Sequence, residues 1–268
     1  MTDPLTWPMT VDLSGRIAVV TGASEGIGAA TVRALAAHGA DVAFCARGTQ
    51  SVTALTTADL PGRVRGYVAD MADANAIDHF LDAVSSDLGE ADILVNNVGN
   101  SPSRNFLHMT DADWTSLFEL NLMSAVRCTR RLLPAMRTRK WGRVVMVATS
   151  GAKYPNPALI DYAASKAAMV ATASALAKKY AADGVLVNSV LPGLIRTPMW
   201  ERTAVEVAQA TGTTPDAVFT QRSANVPVRR YGSAAEGAAL ILFLASPYAG
   251  YINGAAIDVD GGLGAAMY

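Results

Sequence analysis

Seven short apolar runs, separated by longer segments of helical period, narrow the folds open to this chain more than any other feature. The runs are Ile17–Thr21, Asp41–Cys45, Arg63–Val68, Ile93–Asn96, Arg143–Ala148, Leu186–Leu191 and Ala256–Val259. Helical patterns between them include Gly26–His38, Ala74–Leu88, Asp111–Met136, Asp161–Ala182 and Ala234–Leu244. Parallel strands can be joined only by a long crossover, so such alternation implies a parallel sheet with helices on both faces. A strand covered on both faces is apolar throughout, as Val144-Val145-Met146-Val147 is. The expected fold class is α/β, a doubly wound parallel sheet. With 268 residues, 51% of them hydrophobic, the chain can bury a large core. No repeat, low-complexity tract or Pro/Gly-rich linker divides it. We therefore expect an extension over residues 1–14 followed by a single domain over 15–268.

One segment breaks the pattern. Thr197 to about Gly232 reads as polar and irregular, with one short helical stretch near Glu201–Ala210. An excursion this long in a compact domain suggests a lid or binding loop, or else a surface or oligomer contact.

Charge and cysteine usage exclude several classes. The net charge is -1, with no basic excess to suit nucleic acid and no block of like charges. Cys45 and Cys128 lack metal-ligand spacing, and His38, His79 and His108 are scattered, so neither a metal site nor a disulfide framework is expected. The opening residues MTDPLTWPMTVDLSG contain acids and prolines and lack the pattern of a signal peptide, and no apolar stretch is long enough to span a bilayer. These features suggest a cytoplasmic protein that acts on a small molecule.

Two motifs carry chemistry. After the first strand comes Gly22-Ala23-Ser24-Glu25-Gly26-Ile27-Gly28. Gly22 permits a tight turn, Gly26 allows close approach to a pyrophosphate, and Gly28 lets the following helix pack near the strand. The helix N-terminus offers free N–H groups and a positive dipole end to the anion. The second motif is Tyr162-Ala163-Ala164-Ser165-Lys166. Four residues apart on a helix, the phenol and ammonium share a face. An ammonium beside a phenol favours the phenolate and lowers its pKa, which makes the pair a tuned acid/base. The same spacing is also ordinary on helix surfaces, and the upstream glycine turn is what raises its significance.

Taken in order, Thr21-Gly22-x-x-x-Gly26-Ile27-Gly28, Asn96-Asn97-Val98-Gly99 and Tyr162-x-x-x-Lys166 resemble the short-chain dehydrogenase/reductase family. Pro192-Gly193 after a strand and the ending Asp260-Gly261-Gly262 add to the resemblance, which runs from Leu13 to Leu263. Asn97-Val98-Gly99 departs mildly from the family's usual Asn-Ala-Gly. The resemblance implies a Rossmann-like nicotinamide-dependent oxidoreductase, similar to a 3-oxoacyl-carrier-protein reductase. Tyr162 would then be the general acid/base. Lys166 would hold the nicotinamide ribose, and Asn121 would position a water for proton relay. A hydroxyl that binds the substrate oxygen usually stands thirteen residues before the tyrosine. Thr149 has that place, while its neighbour Ser150 has the usual residue type. Strand alternation lets only one of the two face the site, and the count favours Thr149.

The resemblance also implies that Asp70 and Met71 flank the adenine, and that Asn97 and Gly99 border the cofactor. Pro192, Gly193, Ile195 and Thr197 would fix the carboxamide. Arg47, after the second strand, presents a guanidinium suited to a 2′-phosphate, and favours NADP(H) over NAD(H). Glu25 opposes that charge unless it points away or pairs with Arg47. Arg104, Lys153, Tyr154, Met199, Trp200 and Phe219 are candidate pocket residues, and the two cations are candidates for an acid, a coenzyme A thioester or a carrier protein. Apolar stretches at Leu117–Leu133 and Ala163–Ala177 suggest a homotetramer. Two alternatives remain open: a non-catalytic nucleotide-binding regulator, and a dehydratase or epimerase on the same scaffold.

Overall fold

The computed structural model describes residues 10–56 and 60–264. Residues 1–9, most of the expected N-terminal extension, lie outside the described residues. Nine strands and nine α-helices are described. The strands are β1 (Ile17–Val20), β2 (Asp41–Ala46), β3 (Val64–Val68), β4 (Ile93–Asn96), β5 (Gly142–Val147), β6 (Val185–Pro192), β7 (Ile195–Arg196), β8 (Gly232–Ser233) and β9 (Ala256–Val259). The helices are α1 (Gly26–Ala37), α2 (Thr49–Thr56), α3 (Ala74–Asp87), α4 (Asp111–Phe118), α5 (Ser124–Thr138), α6 (Ile160–Tyr180), α7 (Pro198–Thr211), α8 (Pro215–Ser223) and α9 (Ala234–Ala245).

Seven strands form one parallel sheet in the order β3-β2-β1-β4-β5-β6-β9, and β7 and β8 pair separately. The strand order reverses between β1 and β4. That switch point opens a crevice at the carboxyl ends of the strands, where ligands bind in open α/β sheets. Each strand sends alternate side chains to two cores. Val19, Val144 and Met146 pack with Phe80, Cys128, Met136 and Met169 of α3, α5 and α6. Val20, Val145 and Val147 face the other way, against Val32, Leu35, Ile241 and Leu244 of α1 and α9. Burial on both faces is why the central strands show no polar alternation. Leu13, at the end of the expected extension, is buried in the second core.

Three segments differ from the sequence expectation. The helix expected over Asp111–Met136 is interrupted by a π turn at Glu119–Met123, in which the Ser124 N–H bonds the Glu119 carbonyl. α2 was not expected; it buries only Val52 and Leu55. The segment from Thr197 to Gly232 is largely helical rather than irregular. α7 and α8 close on a small core of Ala204, Ala208, Val218, Phe219 and Tyr231. The Phe219 and Tyr231 rings meet edge to face at 4.9 Å. Phe219 therefore belongs to this core and does not line the cavities that hold Tyr162 and Arg47.

Candidate active site

Two adjoining cavities form one groove along the carboxyl ends of β1, β4, β5 and β6. Glu25, Asn97, Gly99, Asn100 and Met199 line both. One end holds Thr149, Tyr162 and Lys166 beneath Trp200. The other holds Ser24, Arg47, Asp70 and Met71.

The turn after β1 is fixed by its neighbours. Gly22 has φ +65°, and a Cβ there would lie 2.7 Å from Val98 Cγ2. A Cβ on Gly28 would lie 2.5 Å from Asn97 Nδ2. That amide donates to the carbonyls of Thr21 (3.1 Å) and Gly22 (2.8 Å), which ties the turn to the end of β4. Asn97 thus touches the groove and also supports the glycine turn. Gly28 makes room for the Asn97 amide and for the backbone of the turn at the end of β1, where a Cβ would lie 2.7 Å from the Gly22 carbonyl oxygen.

Lys166 is 2% exposed, and its Nζ donates to the carbonyls of Val147 (2.9 Å) and Val98 (3.3 Å). Two of its three N–H groups are so used, and the atom lies against the groove floor beside Gly99. Burial pulls the ammonium down to about 8. Burial pushes the Tyr162 phenol up, and only a hydrogen bond with Thr149 acts in the other direction. The Lys166 ammonium, expected from the sequence to lower the Tyr162 pKa, is not among these causes. The Lys166 amine points to two backbone carbonyls, those of Val98 and Val147.

Asn121 sits in the π turn, fully buried. Its Nδ2 donates to the Asn100 carbonyl (3.0 Å) and the Ser165 hydroxyl (3.1 Å), and its Oδ1 accepts from the Asn100 N–H (2.9 Å). Ser165 donates in turn to the Tyr162 carbonyl at 2.8 Å. Asn121 therefore braces the strand-end loop and the catalytic helix around Lys166. Both N–H groups of its side-chain amide are used in these bonds.

Thr149 lines the groove, while Ser150 is buried and absent from its lining. The Thr149 hydroxyl donates to the Pro192 carbonyl (3.4 Å) and accepts from the Gly151 N–H (3.2 Å). Pro192, Gly193, Ile195 and Thr197 border the same end of the groove. The Thr197 hydroxyl is buried and has no partner among the described residues. Asp70 lines the far end and accepts from the Ala72 N–H (3.0 Å), while Asp73 caps α3.

The candidate cations separate. Arg104 bridges Asp161 (3.1 Å) and Asp113 (3.5 Å), and Lys153 bonds Asp258 at 2.7 Å. Neither lines the two cavities of the groove. Tyr154 packs near Gly264, away from the groove lining. Arg47 is exposed at the groove mouth with no ion pair among the described residues. Glu25 pairs with Arg202 of α7, not with Arg47, through two bonds of 2.6 and 3.1 Å.

Residues 22–264 match the family model described as enoyl-(acyl carrier protein) reductase. The chain is 35% identical over 251 residues to the 3-oxoacyl-[acyl-carrier-protein] reductase FabG of Haemophilus influenzae, covering 94% of this chain and 99% of that one. The chain belongs to the short-chain dehydrogenase/reductase family. It is an oxidoreductase of the class acting on CH–OH groups. Among solved structures it is similar to the L-sorbose reductase of Gluconobacter frateurii complexed with NADPH and L-sorbose. The TM-score is 0.94 at 33% identity, covering 97% of this chain and 100% of that one. An actinorhodin polyketide ketoreductase with NADPH gives a TM-score of 0.87 at 32% identity, covering 94% and 98%. Family membership gives the Thr149–Tyr162 arrangement a direct test. Thr149→Ala should lower turnover about a hundredfold, while Ser150→Ala should cost less than about threefold. Steady-state rates on the two purified variants check this, and the reverse order would move the role to Ser150.

Proposed function

We propose that this protein reduces a ketone to a secondary alcohol with NADPH and catalyses the reverse oxidation with NADP, with a β-keto thioester or similar ketone as substrate. The observation that carries this reading is the meeting of the Tyr162 phenol, the Thr149 hydroxyl and Lys166 at one end of a groove whose other end holds Arg47. The groove fits a dinucleotide on its own features. No side chain caps α1, so its first-turn N–H groups face the groove unclaimed, as a pyrophosphate requires. The Thr197 hydroxyl, buried without a partner among the described residues, and the Lys166 ammonium, whose third N–H meets only the weak Met169 sulfur acceptor at 4.0 Å, would suit a nicotinamide carboxamide and ribose.

The bound cofactor would supply a hydride from its nicotinamide ring. The remaining chemistry falls to this chain. With substrate bound, the Thr149 hydroxyl would turn its proton from the Pro192 carbonyl to the substrate carbonyl oxygen and direct that oxygen toward Tyr162. Tyr162, held neutral by burial, delivers its proton to that oxygen as negative charge develops there. Lys166 holds the ribose hydroxyls and the positive charge beside the phenolate left behind. Asn121 serves proton relay toward Lys166 by keeping Asn100 and Ser165 in place. Similarity to a 3-oxoacyl-[acyl-carrier-protein] reductase and a polyketide ketoreductase favours ketone reduction over the reaction named by the family model.

Residues 197–232 act as the lid, with Met199 and Trp200 over the substrate end. The apolar groove between α5 and α6, lined by Leu133, Pro134, Leu176 and Tyr180, supports a homotetramer of a cytoplasmic enzyme. Among the described residues, no helix is long and apolar enough to cross a membrane. Cofactor choice rests on Arg47. Arg47→Ala should weaken NADPH about tenfold and NADH less than about twofold. An unchanged affinity ratio would remove Arg47 from phosphate recognition. The activity itself is tested by initial rates with NADPH across a panel of prochiral ketones. No oxidation of NADPH with any of them would overturn the reading.

A further inference from the structure

Resting on the NADP(H) reading above, we infer that Arg202 of the lid helix α7 is a cofactor-specificity residue: it neutralises Glu25 and, with Arg47, forms the cationic seat for the 2′-phosphate.

Three observations support this. Glu25 sits in the glycine turn and lines the groove at the end where Arg47 lies. A bare carboxylate there would repel a phosphate dianion and defeat the purpose of Arg47. Arg202, 177 residues away in sequence, reaches back and grips that carboxylate with both terminal nitrogens, at 3.1 Å from Nη1 and 2.6 Å from Nη2. A guanidinium has five N–H donors in one plane, so a two-point grip on Glu25 leaves Nε–H and the outer N–H groups available. Arg202 itself lines the same end of the groove, and its side chain is 62% exposed. Glu206, one turn further along α7, is the other carboxylate that acts on Arg202, and Asp70 is the remaining acid lining this end.

The placement on α7 has a consequence for the lid. Met199 and Trp200, on the turn before Arg202, line the substrate end of the groove. A phosphate held by Arg202 therefore steadies the helix that covers the substrate. An exposed ion pair contributes little to stability by itself, so removing Arg202 should leave the fold intact.

The test is equilibrium binding of NADPH and NADH to the full-length protein, measured by calorimetry. Arg202→Ala should weaken NADPH at least about tenfold and NADH less than about threefold, and Arg202→Lys should lose less than Arg202→Ala. Glu25→Gln should bind NADPH as well as wild type or better, and Glu25→Gln with Arg202→Ala should recover part of the NADPH affinity lost by Arg202→Ala alone. Equal weakening of both cofactors, or no weakening by Arg202→Ala, overturns the inference alone. So does a loss of NADPH affinity in Glu25→Gln as large as that in Arg202→Ala, which would make the pair a structural latch. A wild type that binds NADH as tightly as NADPH overturns the NADP(H) reading, and this inference with it.

Discussion

Tyr162→Phe should lower ketone turnover by about a thousandfold while leaving NADPH affinity within about twofold of wild type. The change removes one oxygen and keeps the ring that packs in the groove. Thr149 and Lys166 stay in place, because Lys166 is held by the Val98 and Val147 carbonyls and not by the phenol. The loss should therefore fall on kcat, with the ground-state complex intact. Because burial raises the Tyr162 pKa, wild-type reduction should show no loss from phenol ionisation near neutral pH. Parallel kinetics and calorimetry on the two proteins check both parts. Turnover that persists undiminished would remove Tyr162 from the chemistry.

The second large effect belongs to Lys166. Lys166→Met should abolish turnover to a similar degree and also weaken NADPH, because it removes the ribose contact as well as the charge. The wild-type pH profile carries a sharper signature. The ammonium is pulled down to about 8, so kcat/KM for reduction should fall as pH rises through that value and hold steady below it. Stability moves the other way. Between about 8 and the ordinary lysine value of 10.5, the unfolded chain binds more protons than the folded one. Wild-type stability should therefore rise with pH across that window relative to Lys166→Met, and the cost of the buried ammonium should be fully present below it. Urea melts of both apoproteins at pH 7.5 and 10 read this difference. A constant difference would mean that folding does not lower the Lys166 pKa.

The sheet was legible because its strands announce themselves. Burial on both faces demands apolar runs such as Val144–Val147, and glycine punctuates the β1 turn. Spacing was enough to bring Thr149, Tyr162 and Lys166 to one cavity, though not to aim the Lys166 amine. Sequence spacing puts Lys166 on the right helix face but cannot show that its amine turns to the ends of β4 and β5. The π turn was hidden because Leu117–Met123 continues an apolar helical pattern with no Gly or Pro to mark the break. α7 and α8 were partly legible in hindsight. Thr197-Pro198 and Thr214-Pro215 each place an N-cap threonine before an N1 proline. Their polar composition masked them, since they bury only a few residues on a core of their own. The Glu25–Arg202 pair joins positions 177 residues apart, and nothing local to either residue signals the other.

The central claim is hydride transfer to a carbonyl carbon, with the proton delivered to its oxygen by Tyr162. It is tested most directly by running the enzyme to completion with NADPH deuterated at C4 in the transferable position and a β-keto ester, then locating the label by mass spectrometry and NMR. The account predicts one deuterium at the carbinol carbon of a single alcohol enantiomer, with no solvent hydrogen at that position. Product with the label absent from the carbinol carbon, or cofactor that stays fully deuterated while substrate is dehydrated or epimerised, would contradict it.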